Sequence, residues 1–189
     1  MTDSIRSRED LLRAVRGGFR PRYLFFWGHR PLSSGQIGNP SLSQWWPAAF
    51  SVNGVRYPTA EHFMMAEKAR LFGDEAVRTE ILKAGSPKEA KELGRQVRNF
   101  DEQAWADARF QLVVAGSLAK FSQNAELGKY LLGTRDRVLV EASPSDRIWG
   151  IGLAADSAQA MDPEQWPGLN LLGFALMEAR QRLCGGKVE

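Results

Sequence analysis

A mainly helical α+β domain with a small antiparallel sheet is the fold class this sequence predicts, and three observations predict it. Strand-like runs stand at both ends of a helical middle, a pattern that closes as one α+β unit. Asn53-Gly54 separates two short strand-like runs, the strongest local signal for a two-residue hairpin turn. A length of 189 residues suits a single domain that buries its own core without metal or disulfide staples. The domain proper is expected over 23–185, behind an N-terminal extension over 1–22.

Within the extension, 8–16 carries Leu11, Leu12 and Val15 on one side and arginines opposite, which predicts a short amphipathic helix. "YLFFW", 23–27, is an aromatic run of strand length. Residues 28–44 are rich in Gly, Ser, Pro and Asn and read as a surface loop, where binding groups often sit. After the hairpin, Thr59 is a good N-cap for a helix over 60–71 closed by Gly73. "SPKE", 86–89, has a Ser cap, Pro at the first helical position and Glu at the third, a capping box that opens a helix to about 97. A long helix is expected over 102–122, and "AELGKYLLGT" adds a short one. "RVLVEAS" then reads as a strand and "SPSDRIWGIG" as a loop of turn residues. Asn170 is expected to cap the last helix, 171–184.

Composition narrows the function classes. Apolar residues make up 43% and charged residues 25%, the mix of an ordinary globular protein. The net charge of +3, from 25 basic and 22 acidic residues, comes without a dense Lys/Arg block, so a pI near 9.2 argues poorly for nucleic acid. Cys184, alone of its kind, excludes an internal disulfide and a cysteine-cluster metal site, and reads as a terminal packing residue. With two histidines in all, no transition-metal site is expected. No apolar run suits a signal peptide or a membrane span, so the plain expectation is a cytoplasmic protein. The oligomeric state leaves no trace in the sequence.

The chemistry-bearing stretch is "TAEHFMMAEKARLFGD", 59–74. On a helix Glu61 and Lys68 differ by about 20° and share a face roughly 10 Å long, with Met64 and Met65 to either side. A carboxylate in the first turn also suits the helix dipole, at about 0.3–1 kcal/mol, and a lysine can snorkel past apolar surface. Taken by itself, the helix therefore favours structure over function. A second cluster, 140–152, puts Glu141 at a strand end and Asp146, Trp149, Gly150 and Gly152 in the loop that follows. Its G-x-G lacks the helix and third glycine of a dinucleotide fingerprint. On the long helix, Trp105 and Arg109 stand four apart, and Arg109 and Lys120 suit either a phosphate or solvent.

These residues reach a known pattern. "YPTAEHFMMAEKA", "W..AR" at 105–109, "AKF" at 119–121, "LLGT" at 131–134, "LVEASPSDRIWGIG" and "GLNLLGFALMEARQRL" resemble, in this order, the NADAR or YbiA-like family over about 24–183. T-x-E-H at 59–62 and D-x-x-W-G-x-G at 146–152 are the most specific pieces. The resemblance implies a YbiA-like fold and an N-glycosidase that breaks a ribose C1–N bond. The substrate would be a phosphoribosylated amine of early riboflavin synthesis. The alternatives are ADP-ribosyl hydrolysis on modified guanine in nucleic acid, and a non-catalytic module that binds ADP-ribose or a nucleotide. No cofactor or metal is implied, and nucleic acid is a partner only under the first alternative.

Carried onto this chain, the family pattern makes Glu61 a principal catalytic candidate, joined by Asp146 and Lys68. Trp149 or another tryptophan is expected to stack the base and Lys68, Arg109 or Lys120 to meet the phosphate, with Trp105, Phe26, Gly150 and Asn170 completing the substrate-binding set. Cleaving a C1–N bond builds positive charge on the sugar, so a carboxylate near C1 and a second titratable group suit the reaction. One departure stands out. Where the family often shows L-S-N-F, this chain has Leu42-Ser43-Gln44-Trp45-Trp46 behind a longer 28–44 loop.

Overall fold

A computed structural model describes residues 4–30 and 36–186. The helix α1, Arg8–Arg16, is capped by Ser7, whose hydroxyl accepts the Asp10 N–H. The strand β1, Tyr23–Phe26, leads through a 3-10 turn at Asn39–Leu42 into the hairpin of β2, Phe50–Val52, and β3, Val55–Tyr57. Asn53 and Gly54 both take positive φ, 51° and 78°, as the tight turn between twisted strands requires.

Helices then form the body of the molecule. They are α2 (Ala60–Leu71), α3 (Glu75–Lys83), α4 (Pro87–Gly94), α5 (Glu102–Gln123) and α6 (Ala125–Gly133). The strand β4, Val138–Glu141, and the last helix α7, Leu171–Gly185, complete the fold. The central helix α2 is buried over most of its length, Glu61 and His62 included, and is packed by α3, α4 and α5. Close approach is bought by glycine: a Cβ on Gly116 would stand 2.6 Å from the Phe63 ring, and one on Gly94 would overlap Met65.

The hairpin β2–β3 is the expected antiparallel element, paired Phe50↔Tyr57 to Val52↔Val55. The second sheet is a parallel pair, β1 with β4, in the register Tyr23↔Val138 to Phe26↔Glu141. Its β4 residues Val138, Leu139 and Val140 are fully buried, as strands covered on both faces are. The crossover between β1 and β4 is the whole helical middle, a distance over which no local pattern announces a partner.

Five sequence expectations change. The helix α3 was not foreseen: Asp74 caps it, but Ile81 is its one buried residue, so its apolar period is too faint to read. The helix α4 ends at Gly94, short of 97, and the chain turns there to bury Val97. The loop over 28–44 is not all surface, since Ser41, Leu42, Ser43 and Gln44 are buried beneath the site. Asn170 makes no side-chain cap; it sits at φ 55° and uses its amide elsewhere, as described below. Cys184 is exposed rather than packed, because α7 has by then run past the core. Among the described residues, no helix is long and apolar enough to cross a membrane.

Candidate active site

The carboxyl ends of the parallel pair β1–β4 and the first turns of α2 meet at one cavity of about 170 Å³. Glu61, Met64, Met65 and Lys68 enter it from α2, Glu141 from the end of β4, and Asp146 and Trp149 from the loop that follows. Ser43, Gln44 and Trp45 supply another wall, and Lys91, Gly94 and Arg95 the side formed by α4.

Local structure dictates each placement. Thr59 accepts the His62 N–H and its hydroxyl meets His62 Nδ1 at 2.8 Å, while His62 Nε2 meets the Ala84 carbonyl at 3.1 Å. His62 is thereby used up in fixing the start of α2, and Glu61, one residue earlier, turns into the cavity. The loop after β4 is wound on Asp146, whose Oδ1 accepts the N–H groups of Ile148 and Trp149 at 2.9 and 2.8 Å. The Ile151 N–H returns to the Glu141 carbonyl at 2.9 Å. Gly150 fits beneath this turn because a Cβ there would stand 2.8 Å from the Glu141 carbonyl oxygen. Asn170, fully buried, accepts the Glu141 N–H at 2.9 Å and donates to the Leu139 carbonyl at 2.9 Å. Its amide thus holds the last residues of β4, a use of Asn that a helix-cap rule does not suggest.

Charges of both signs line the cavity. Burial raises the Glu61 carboxyl to about 7; the Asp146 charge pushes the same way, against Lys91, the Trp45 indole and Arg95. Burial likewise raises Glu141 to about 8, helped by Asp146 and Glu61 and opposed by Lys91. Each carboxyl has a buried oxygen with no hydrogen-bond partner, Glu61 Oε1 and Glu141 Oε2. Lys68 donates from Nζ to the Gly94 carbonyl at 2.8 Å and lies 4.3 Å over the Phe100 ring; burial lowers its pKa. Lys91 and Arg95, four apart on α4, flank it from the same side of their helix. Burial thus biases both glutamates toward the protonated acid, with Asp146 and three cations in the same enclosure. That is equipment for general acid–base chemistry beside an anionic group.

Of the residues singled out in the sequence, Glu61, Lys68, Asp146 and Trp149 line this cavity together. Six others stand behind or away from it. Trp105 is buried, its ring 5.9 Å from Lys68 Nζ. Phe26 is buried opposite Glu141 in the strand register, and Gly150 and Asn170 support β4 and its loop. Arg109 lies half-buried on α5 with its Nε unbonded. Lys120, only 1% exposed, donates to the Ser41 and Ser43 carbonyls at 2.7 and 2.9 Å.

Sequence reasoning left out Glu141, Lys91, Arg95 and Trp45 as site residues. A signal existed for two of them. Glu141 breaks an otherwise apolar buried run at a strand's end, and Trp45 stands in the motif where the chain departs from its pattern. Lys91 and Arg95 look like any solvated helix face until α4 is docked against α2.

The NADAR domain model matches residues 25–184. An N-glycosidase of Acanthamoeba polyphaga mimivirus is 44% identical over 165 residues, covering 85% of this chain and 95% of its own. The N-glycosidase YbiA of Escherichia coli is 34% identical over 152 residues, 80% of this chain and 85% of its own. A riboflavin biosynthesis protein of Vibrio vulnificus is 30% identical over 142 residues, which are 75% of this chain but 35% of that longer protein. The solution structure of Escherichia coli YbiA superposes with a TM-score of 0.68 at 29% identity, covering 90% of each chain.

Proposed function

The chain belongs to the NADAR family and is an N-glycosidase, and from that premise we propose that it hydrolyses the ribose C1–N bond of a phosphoribosylated amine, an early intermediate of riboflavin synthesis. The observation that carries this reading is the pair of raised carboxyls, Glu61 and Glu141, which line one cavity beside Asp146 and each keep a buried oxygen without a hydrogen-bond partner.

Glu141, protonated at neutral pH, gives its proton to the leaving nitrogen as the C1–N bond breaks. Glu61, at the first turn of α2, acts as the carboxylate against the positive charge that grows on the ring. Water then forms the new bond to C1 and passes its proton to Glu61. Lys68, Lys91 and Arg95 neutralise the sugar phosphate, and Trp45 and Trp149 supply flat faces for the base. The size of the enclosure supports the small substrate. About 170 Å³ is well below the roughly 300–1,000 Å³ that surrounds a drug-sized ligand, so a pentose sits inside and the rest lies at the mouth.

Purified wild type and Glu61→Gln are incubated with the aminouracil ribose phosphate and, separately, with ADP-ribosylated guanosine, and released ribose phosphate or ADP-ribose is followed by mass. Wild type is expected to act on the first, and the isosteric variant to lose at least about 100-fold in rate while keeping its fold. Release from the second substrate alone moves the enzyme to reversal of ADP-ribosylation. Ligand binding without turnover, unchanged in Glu61→Gln, makes the protein a binding module.

A further inference from the structure

Phe100 is 45% exposed, yet the chain that carries it is fixed. The Arg98 N–H and Nε both donate to Asp74 Oδ2 at 3.0 Å, and Nη2 donates to Asp74 Oδ1 at 2.7 Å. Asp74 is itself buried, where it caps α3. Asn99 follows at φ 55°, in the left-handed region that Asn tolerates. Asp101 then opens α5 by accepting the Ala104 N–H at 2.7 Å. Between these anchors the Phe100 ring meets the Phe72 ring edge-on, at 5.2 Å and 66°.

What this ring faces is a cation of the cavity. The Lys68 ammonium lies 4.3 Å from the Phe100 centroid and 5.9 Å from that of Trp105, both within the reach of about 6 Å of a cation–π attraction. It also donates to the carbonyl of Gly94, the last residue of α4, at 2.8 Å. A helix end leaves its last carbonyls without partners in the helix, so a cation is favoured there. Two rings and one carbonyl thus hold the ammonium and use one of its three N–H donors. A lysine head ordinarily samples many rotamers on its four-carbon stem. This one is held at the wall of the cavity that Lys91 and Arg95 also line.

We propose that Phe100, together with Trp105, is a positioning residue for the substrate's phosphate: the rings hold the Lys68 ammonium in place, and its remaining donors meet the sugar phosphate. The assignment rests on the N-glycosidase reading above, in which Lys68, Lys91 and Arg95 neutralise that phosphate. Phe100 touches no ligand in this arrangement and acts through Lys68. A cation ordered in advance spares each binding event the cost of ordering it, so affinity rises without a new contact. A leucine at position 100 fills part of the space and offers no π face.

The test is a double-mutant cycle on ribose 5-phosphate, the sugar phosphate that the reaction releases. Its Kd is measured by calorimetry for wild type, Phe100→Leu, Lys68→Met and the double variant. Loss of the ring is expected to weaken binding about 3–10-fold, the scale of one cation–π contact, with thermal unfolding checked alongside. In the Lys68→Met background the same change should have no further effect, because the cation that the ring holds is gone. An equal loss in both backgrounds means that Phe100 serves the ligand or the fold directly, and overturns the proposal. So does wild-type affinity in either single variant, or a wild type that binds no ribose 5-phosphate at millimolar concentration. Phe100→Tyr keeps the ring and should bind like wild type; a fall there as large as with leucine also overturns the proposal. Should Phe100→Leu unfold, Phe100→Met takes its place in the cycle. The cycle needs no turnover. A wild type inactive on the aminouracil ribose phosphate, with the coupling intact, refutes the reaction alone, and turnover without coupling refutes the positioning role alone.

Discussion

Glu141 is the residue at which stability and function pull apart. Its ordinary partner in a strand would be solvent, yet its Oε2 is buried and unbonded, and its carboxyl is raised to about 8. The folded state therefore holds the proton more tightly than the unfolded chain, whose glutamate has the ordinary value of 4.5. Folding stability from this group is complete below about 4.5 and falls as pH rises toward about 8, where the buried carboxylate appears. Replacing Glu141 by Gln removes that penalty. We expect Glu141→Gln to melt higher than wild type at pH 9, by about 2–4 °C per kcal/mol regained, and to differ little at pH 4. In the same variant, catalysis should fall by about 10²–10⁴ and the descending limb of the rate profile near pH 8 should vanish. An unaltered descending limb would assign the proton to another group. Calorimetry and a pH–rate series read the two effects separately.

At the scale of elements, the site depends on how closely helices approach the parallel pair. The helix α7 starts against β4 at Gly173, where a Cβ would stand 2.1 Å from the Leu139 carbonyl and 2.6 Å from the Asn170 amide. That amide is the one holding the Glu141 N–H. A methyl group here pushes on backbone and on the support of the Glu141 strand end together. Gly173→Ala should destabilise by about 1–3 kcal/mol, as overpacking does, and should also lower kcat with little change in KM. A variant that melts lower but turns over normally would show that the strand end absorbs the shift. The elements differed in how well the sequence displayed them. Helices with a cap and a wide apolar stripe, such as α2 and α5, were legible to within a residue or two. The short α3 was not, because one buried side chain makes no period. Nor was the use of Asn170, since the same residue type serves a helix cap and a strand clamp equally well.

Across the whole molecule, α1 is part of the same core as the rest. Leu11 is fully buried and Ile5 1% exposed, while Arg8 donates to the Pro163 and Glu164 carbonyls at 2.8 Å. Leu11→Ala should therefore cost about 2–5 kcal/mol and lower the single unfolding transition of the entire chain; melting of a separate early phase would mark 1–22 as an independent extension. The same tertiary packing makes the active site, which draws on α2, α4, β4, two loops and, through Lys120, α5. The sequence by itself determined the class of fold, the hairpin at Asn53-Gly54, most helix starts and the motif residues Glu61, Asp146 and Trp149, because caps, turns and apolar periods are written within a dozen neighbouring residues. Only the tertiary structure decided that β1 pairs in parallel with β4, that Lys120 points inward to a loop, and that Lys91, Arg95, Trp45 and Glu141 share a cavity with Glu61. Those are encounters between segments far apart in the chain, chosen by which buried surfaces fit, and burial is also what raises the Glu61 and Glu141 carboxyls above the ordinary glutamate range.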